Sequence, residues 1–240
     1  MVIMTFNIKN AYSLFNWKKK IESAIALIND INPDVIGTQE LTKKAKRYIE
    51  KKLIQYEVLG DSRKSFFISN EYNCILVKKK LLGNNYKSKT YALSNNINKL
   101  GTKFKSDLFP RICTTIHINY GNKKYLFINT HLDNALEINR IKQLKKINEI
   151  ITLEKKGDES IIVTGDFNMT LRSDLRLFKE HNNLECTNGL GSTLISFPKR
   201  KQIDYIFVSD DIKFVDYKKI TKKYNGIYAS DHYPVVLEIK

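Results

Sequence analysis

The chain has 240 residues, 42% of them hydrophobic and 28% charged, which excludes a disordered protein and suffices for one large α/β domain with a sizeable core. Its 41 basic against 25 acidic residues leave a formal charge of +16, a balance that attracts polyanions. Only seven of the 41 are Arg and the rest are Lys, the usage an AT-rich genome produces unaided, so the charge permits a nucleic-acid partner without requiring one.

The hydrophobic pattern predicts a first strand over residues 2–8, then a helix over 17–30 with Ile21, Ile25 and Ile28 on one face. A strand over 34–39, a short helix over 42–53 and a strand over 74–78 follow. The polar, aperiodic stretch 94–110 reads as a functional loop. Runs 111–118 and 124–131 flank Asn119-Tyr120-Gly121-Asn122 and read as a hairpin. A long helix over 134–155, with Ile141, Leu144, Ile147 and Ile151 in period, leads to a strand over 160–166. A helix over 172–181 and strands over 203–208 and 234–239 complete the chain. Hairpins mixed with helical crossovers imply an α/β sandwich rather than a purely parallel sheet. No repeat or linker interrupts it, so residues 1–240 are expected to form one domain, acting as a monomer. No apolar run approaches the ~20 residues of a membrane-spanning helix, and the first residues look like a strand rather than an export signal. Cys74, Cys113 and Cys186 are far apart and odd in number, which suits reduced thiols and a cytoplasmic location.

The informative feature is how the strands end. Thr5-Phe6 runs into Asn7, and Val35-Ile36-Gly37-Thr38-Gln39 into Glu40. Leu126-Phe127-Ile128-Asn129-Thr130 runs into His131 and Asp133, and Ile161-Ile162-Val163-Thr164-Gly165 into Asp166 and Asn168. Asp204 opens the run Tyr205–Val208, and Asp231-His232 precedes Pro234-Val235-Val236. One such acid is ordinarily a turn residue or helix cap. Six endings of this kind at one rim of a sandwich would gather acids at a cost that only a cation or a reaction justifies. No phosphate loop, Cys-x-x-Cys pair or His-Glu-x-x-His motif occurs.

These segments resemble the endonuclease/exonuclease/phosphatase superfamily, which includes abasic-site endonucleases, DNase I, neutral sphingomyelinases, inositol polyphosphate phosphatases and poly(A) deadenylases. The matching pieces are Thr-Phe-Asn-Ile (5–8), Asp-Val-Ile-Gly-Thr-Gln-Glu (34–40), Thr-His-Leu-Asp (130–133), Gly-Asp-Phe-Asn (165–168), Ile-Asp-Tyr-Ile-Phe (203–207) and Ser-Asp-His-Tyr-Pro (230–234), in the family's order. Trp17, Glu71-Tyr72-Asn73, Leu93-Ser94, Pro110-Arg111, Arg140 and Gln143 resemble marks of an uncharacterised bacterial branch.

The resemblance implies a four-layer α/β/β/α sandwich of two mixed sheets, as in DNase I, and a Mg²⁺-dependent phosphoesterase, with Mn²⁺ as a substitute. Glu40 is then the metal ligand, with Asn7 beside it and Asp231 in the inner or outer shell of the ion. Asp166 orients or deprotonates the attacking water. Asn168, two residues on in an extended segment, faces the same side and donates to a phosphoryl oxygen. His131, where abasic endonucleases typically carry Tyr, donates to the scissile phosphate. His232 binds phosphate or relays a proton, oriented by Asp204 rather than by its neighbour Asp231. Arg111 is a candidate phosphate clamp, and Glu71 and Asn73 are candidate substrate contacts. Arg140 and Gln143 are expected to support the helix face, for example with Glu137, and His117 and His181 to be structural. The preferred substrate is a phosphodiester in a nucleic acid. A phosphatase or phospholipid headgroup hydrolase is the alternative, and a catalytically silent phospho-ligand binder the competitor from another class.

Overall fold

Side-chain alternation along the strands decides what faces what. The computed structural model describes residues 1–9, 16–65, 70–83, 86–195 and 201–240. Among these, β1 (Val2–Asn7), β2 (Val35–Gln39), β3 (Tyr56–Leu59), β4 (Ile75–Lys78), β11 (Phe214–Lys219) and β12 (Val235–Ile239) form one sheet, in the order β11-β12-β1-β2-β4-β3. The second sheet contains β5 (Ser88–Ala92), β6 (Ile112–Tyr120), β7 (Lys123–His131), β8 (Ser160–Asp166), β9 (Leu184–Cys186) and β10 (Asp204–Ser209), in the order β5-β6-β7-β8-β10-β9. Within each sheet one named pair is parallel, β1 with β2 and β7 with β8. Each needs a crossover, supplied by α1 (Trp17–Ile31) and α3 (Glu137–Glu154) respectively.

Three apolar layers hold this together. Met4, Phe6 and Ile36 meet Ile21, Ala24 and Ile28 of α1 and Ile49 of α2 (Lys43–Lys52) on the outside of the first sheet. Leu126, Ile128 and Val163 meet Leu144, Ile147 and Ile151 of α3 and Leu175 and Phe178 of α4 (Ser173–His181) on the outside of the second. Between the sheets lie Ile3, Val35, Phe127, Ile162, Ile206 and Leu237. The architecture is the expected four-layer α/β/β/α sandwich. α1 ends where Asn32 turns left-handed (φ 50°), returns its N–H to Ile28 and meets Pro33. The Thr42 side chain accepts from Ala45 N–H at 3.1 Å and starts α2.

The face between the sheets changes character along its length. On alternate residues Ile3 gives way to Thr5 and Asn7, Val35 to Gly37 and Gln39, Phe127 to Asn129 and His131, and Ile162 to Thr164 and Asp166. Just below that polar end the sheets are joined by hydrogen bonds. Asn129 Nδ2 donates to Thr38 O (2.8 Å) and Cys74 O (3.0 Å), while its Oδ1 accepts from Gln39 Nε2 (2.7 Å) and Thr164 Oγ1 (3.2 Å). Gly37 makes this approach possible, since a Cβ there would lie 2.0 Å from Thr164 Oγ1 and 2.6 Å from Asn129 Oδ1.

The described cysteines are all unbridged, and burial pushes the Cys74 thiol up to about 12. Among the described residues no helix is long and apolar enough to cross a membrane.

Candidate active site

Three residues of the site occupy one row across adjacent strands. His131 of β7 pairs with Asp166 of β8 in parallel register, and Asp204 of β10 pairs with Asp166 in antiparallel register. Asn7, at the end of β1, bridges the sheets: its Nδ2 donates to Asp166 Oδ2 and to Glu40 Oε1, each at 3.0 Å. Strand alternation alone would aim Glu40 at the helix side, away from Asn7. Its left-handed backbone (φ 62°) ends β2 and redirects the carboxylate, at a cost of roughly 1–2 kcal/mol for a non-glycine residue. His232, ahead of β12, puts Nδ1 2.9 Å from Asp204 Oδ2. The Nε2 atoms of His232 and His131 lie 3.8 and 3.6 Å from Asp166 Oδ2.

Burial sets the protonation states. Asp166 is pushed up to about 7, first by desolvation and then by the charge of Asp204, against opposition from His232 and the hydrogen bonds of Asn168 N–H and Asn7. Burial by itself would lower His232, but the charge and hydrogen bond of Asp204 override it and raise the imidazole to about 10. His131 goes the other way, held well below the usual histidine range by burial and by the charges of Arg111, His232 and Arg63. At neutral pH the site therefore holds one imidazolium and one neutral imidazole around a buried acid.

The donor set fits a divalent cation. Glu40 and Asp166 converge on one amide nitrogen, and the Lys9 ammonium rests on Asp231, a positive charge standing where the resemblance puts a metal. Glu40 and Asp231 offer the hard oxygens that Mg²⁺ prefers, while Asn7 holds the Glu40 carboxylate through its amide nitrogen, its Oδ1 accepting from Lys9 N–H at 2.9 Å. Asp166, Asp204 and His232 also offer ligand atoms within 4.8 Å of one another, the one such group among the described residues. Asp204 Oδ1 is buried there without a hydrogen bond. That set includes a nitrogen and suits a softer ion, and His232 Nδ1 already has a partner in Asp204.

Other expected residues sit differently. Asn168 does not continue an extended segment: it is left-handed (φ 50°), its N–H caps Asp166 Oδ1 (2.9 Å), and its Nδ2 donates to Leu132 O (3.0 Å). A turn, not alternation, keeps it near Asp166, and its amide pins the segment after His131. Arg111 is 4% exposed, and its NH2 contacts Asn134 Oδ1 at 3.1 Å and Asp133 Oδ1 at 3.9 Å. Asn73 is buried and donates to Ile112 O. Glu71 pairs with Arg63 NH1 at 2.7 Å. Arg140 and Gln143 support Asp133 rather than meeting Glu137: Gln143 Oε1 accepts from Asp133 N–H (2.8 Å), and Arg140 NH1 donates to Asp133 O (3.1 Å). Gln143 Nε2 also donates to Asp107 Oδ1 (3.1 Å), tying the 94–110 loop to α3. His117 lies between Glu159 and Glu154, a structural setting. Arg63, Lys9 and Asp107 carry no pattern in the sequence that would have singled them out.

Asp204 should govern His232. Changing Asp204→Asn is expected to return the His232 imidazole toward the ordinary histidine range, followed by NMR titration, and to lower kcat about 10²-fold. Asp231→Asn should leave that titration close to wild type; an equal fall in both variants would refute the assignment.

Residues 4–232 match the family model described as Endonuclease/Exonuclease/phosphatase family. An uncharacterised protein of Acanthamoeba polyphaga mimivirus is 26% identical over 258 residues, covering 94% of this chain and 93% of that protein. Among solved structures, a mannosyl-6-phosphatase of Bacteroides thetaiotaomicron superposes with a TM-score of 0.88 at 21% identity, covering 100% of this chain and 99% of the other. The TDP2 of D. rerio, complexed with single strand DNA product, gives 0.78 at 15% identity, covering 100% and 98%. With its motifs in order from β1 to the segment before β12 and its polar groups gathered at one end of the sandwich, the chain belongs to the endonuclease/exonuclease/phosphatase family and is a metal-dependent hydrolase of phosphate ester bonds.

Proposed function

We propose that the protein hydrolyses a phosphodiester, with nucleic acid as the substrate class and Mg²⁺ as the metal, Mn²⁺ substituting. The observations that carry this reading are the row of His131, Asp166 and Asp204, with His232 Nδ1 2.9 Å from Asp204 Oδ2, and a chain whose +16 balance favours a polyanion.

A cation held by Glu40 and Asp231, with Asn7 fixing the Glu40 carboxylate, would supply neutralisation of charge on the phosphoryl oxygens. The chain's own residues do the rest. Asp166, once ionised, takes the proton of a water attacking phosphorus. His232, kept protonated by Asp204, offers its Nε2–H to the phosphate as negative charge builds on it. His131 lies on the other side of the same carboxylate as a neutral hydrogen-bonding partner. Asn168 fixes the segment beyond His131 and so keeps the row rigid. The whole chain acts as one domain and a monomer, and its reduced thiols fit the cytoplasm.

The likeness to the Bacteroides mannosyl-6-phosphatase favours a second reading, a sugar phosphatase on the same site. One panel separates the two: single- and double-stranded DNA, RNA, inositol phosphates, sphingomyelin and sugar phosphates, each with Mg²⁺ and with chelator. The expected result is cleavage of nucleic acid that chelator abolishes and Mn²⁺ restores. Full turnover in chelator would reject the metal chemistry, and cleavage of sugar phosphates alone would select the second reading.

A further inference from the structure

Beside Glu40 lies a depression of about 350 Å³ between the first turns of α1 and α2. Glu40 and Lys9 line its site end, and Trp17, Lys43 and Lys44 its far wall. The same three far-wall residues border a second depression that continues along α2 past Lys18, Arg47 and Lys51. A cationic strip thus runs from the metal-ligand candidate out over the surface. Lys18, Lys43, Lys44, Arg47 and Lys51 are all exposed.

Surface lysines are abundant in this chain, so their number alone means little. What sets these five apart is their place, in a run of depressions that opens on Glu40, together with their freedom from carboxylates. Lys123, Lys146, Lys179 and Lys222 each meet a carboxylate within 4.0 Å. Among the described residues no Asp or Glu comes that close to the five cations of the strip. The acids in the vicinity are engaged otherwise: Glu22 accepts from the Tyr48 hydroxyl, and Glu50 holds Lys46 at 2.8 Å. Lys44 is also held in position, its Nζ 4.0 Å from the centroid of the Trp17 ring, which in turn packs edge-on against Tyr48.

We propose that this strip is a docking surface for a nucleic-acid strand whose scissile phosphate enters the cleft at Glu40. The inference rests on the nuclease reading above and adds the path of the substrate. At 1.5 Å per residue, Lys43 and Lys51 lie about 12 Å apart along α2. That is a row with room for more than one phosphate, whereas a sugar phosphate would call for a single focus of charge. Cations that neutralise the strand's phosphates displace the counterions condensed on it, so the binding is steeply salt-dependent.

The test measures binding apart from turnover. Fluorescence anisotropy of a short labelled single-stranded oligonucleotide is followed in chelator across a salt series. The wild type is compared with the double variant Lys44→Gln, Arg47→Gln and with the control pair Lys124→Gln, Lys155→Gln. Lys124 lies about 23 Å from the site along β7, and Lys155 follows the far end of α3. The Lys44/Arg47 variant is expected to bind about tenfold more weakly, with a salt slope reduced by about 1.4, near 0.7 per lost contact. The control pair should bind as wild type does, and thermal melts should show both variants folded. Equal loss in both pairs would reduce the effect to net charge and overturn the proposal, as would a wild type that binds anionic lipid vesicles but no strand. Cleavage of nucleic acid by an enzyme whose binding ignores Lys44 and Arg47 would also sink it, while leaving the nuclease reading intact.

Discussion

Asp166→Asn is expected to lower kcat about 10³-fold, within the range attributed to a positioned general base, while leaving the protein folded. In the wild type, kcat/KM should rise with pH through about 7 as Asp166 ionises and fall through about 10 as His232 loses its proton. The bound cation would draw the lower limb to more acidic pH. In the variant that limb should vanish and the upper one remain. The stability consequence has the opposite sign. A carboxyl whose pKa is raised on folding costs stability progressively as pH climbs from its ordinary value near 3.8 toward about 7. Replacing it with a neutral isostere should therefore leave Tm at neutral pH equal or higher. Wild-type turnover by the purified variant, or a variant that melts far below wild type, would contradict the role assigned to Asp166.

Gly37→Ala should be a severely damaging single methyl. The new Cβ would meet Thr164 Oγ1 at 2.0 Å and Asn129 Oδ1 at 2.6 Å, and both atoms belong to the hydrogen-bonded layer that joins the sheets. Overpacking of a dense core commonly costs 1–3 kcal/mol, and here hydrogen bonds are broken as well. A loss of about 3 kcal/mol or more is expected, a fall in Tm on the order of 6–12 °C for a chain this size. The double variant Gly37→Ala, Thr164→Ala should recover part of that loss, because it removes the nearest clashing atom. Additive losses would show that the two residues do not meet.

What was legible in the sequence, and what was not, follows from burial. The strands expected from apolar runs are the interior ones, β1, β2, β4, β6, β7, β8, β10 and β12. Covered on both faces, they read as nearly continuous hydrophobic stretches. The strands without such a run, β3, β5, β9 and β11, are the four sheet edges. They are short or polar: β9 has three residues, and in β11 the four inner positions are all exposed. The candidate site was legible because its residues sit at abrupt breaks in apolar runs. The layer beneath it was not, since Asn129, Thr164 and Gly37 look like ordinary strand residues until two sheets are brought face to face. Asn168 is expected from strand alternation, which fails there, as it would at Glu40, because the backbone turns left-handed. Arg111 is expected as a phosphate clamp; the chain buries it against Asn134 and Asp133, where its charge acts on His131.

The shared row of His131, Asp166 and Asp204 has a consequence for how such a protein diversifies. Its three members are fixed by backbone pairing within one sheet, so their spacing is inherited from the ladder and owes nothing to the segments that rise above it. Insertions or deletions in those segments can remodel what is admitted to the cleft without moving the row. A slip of one residue within β8 would instead send Asp166 to the helix side and silence the molecule at a stroke. Mutational tolerance should therefore divide sharply at the strand ends, with new specificities arising in the loops and almost never in the ladder.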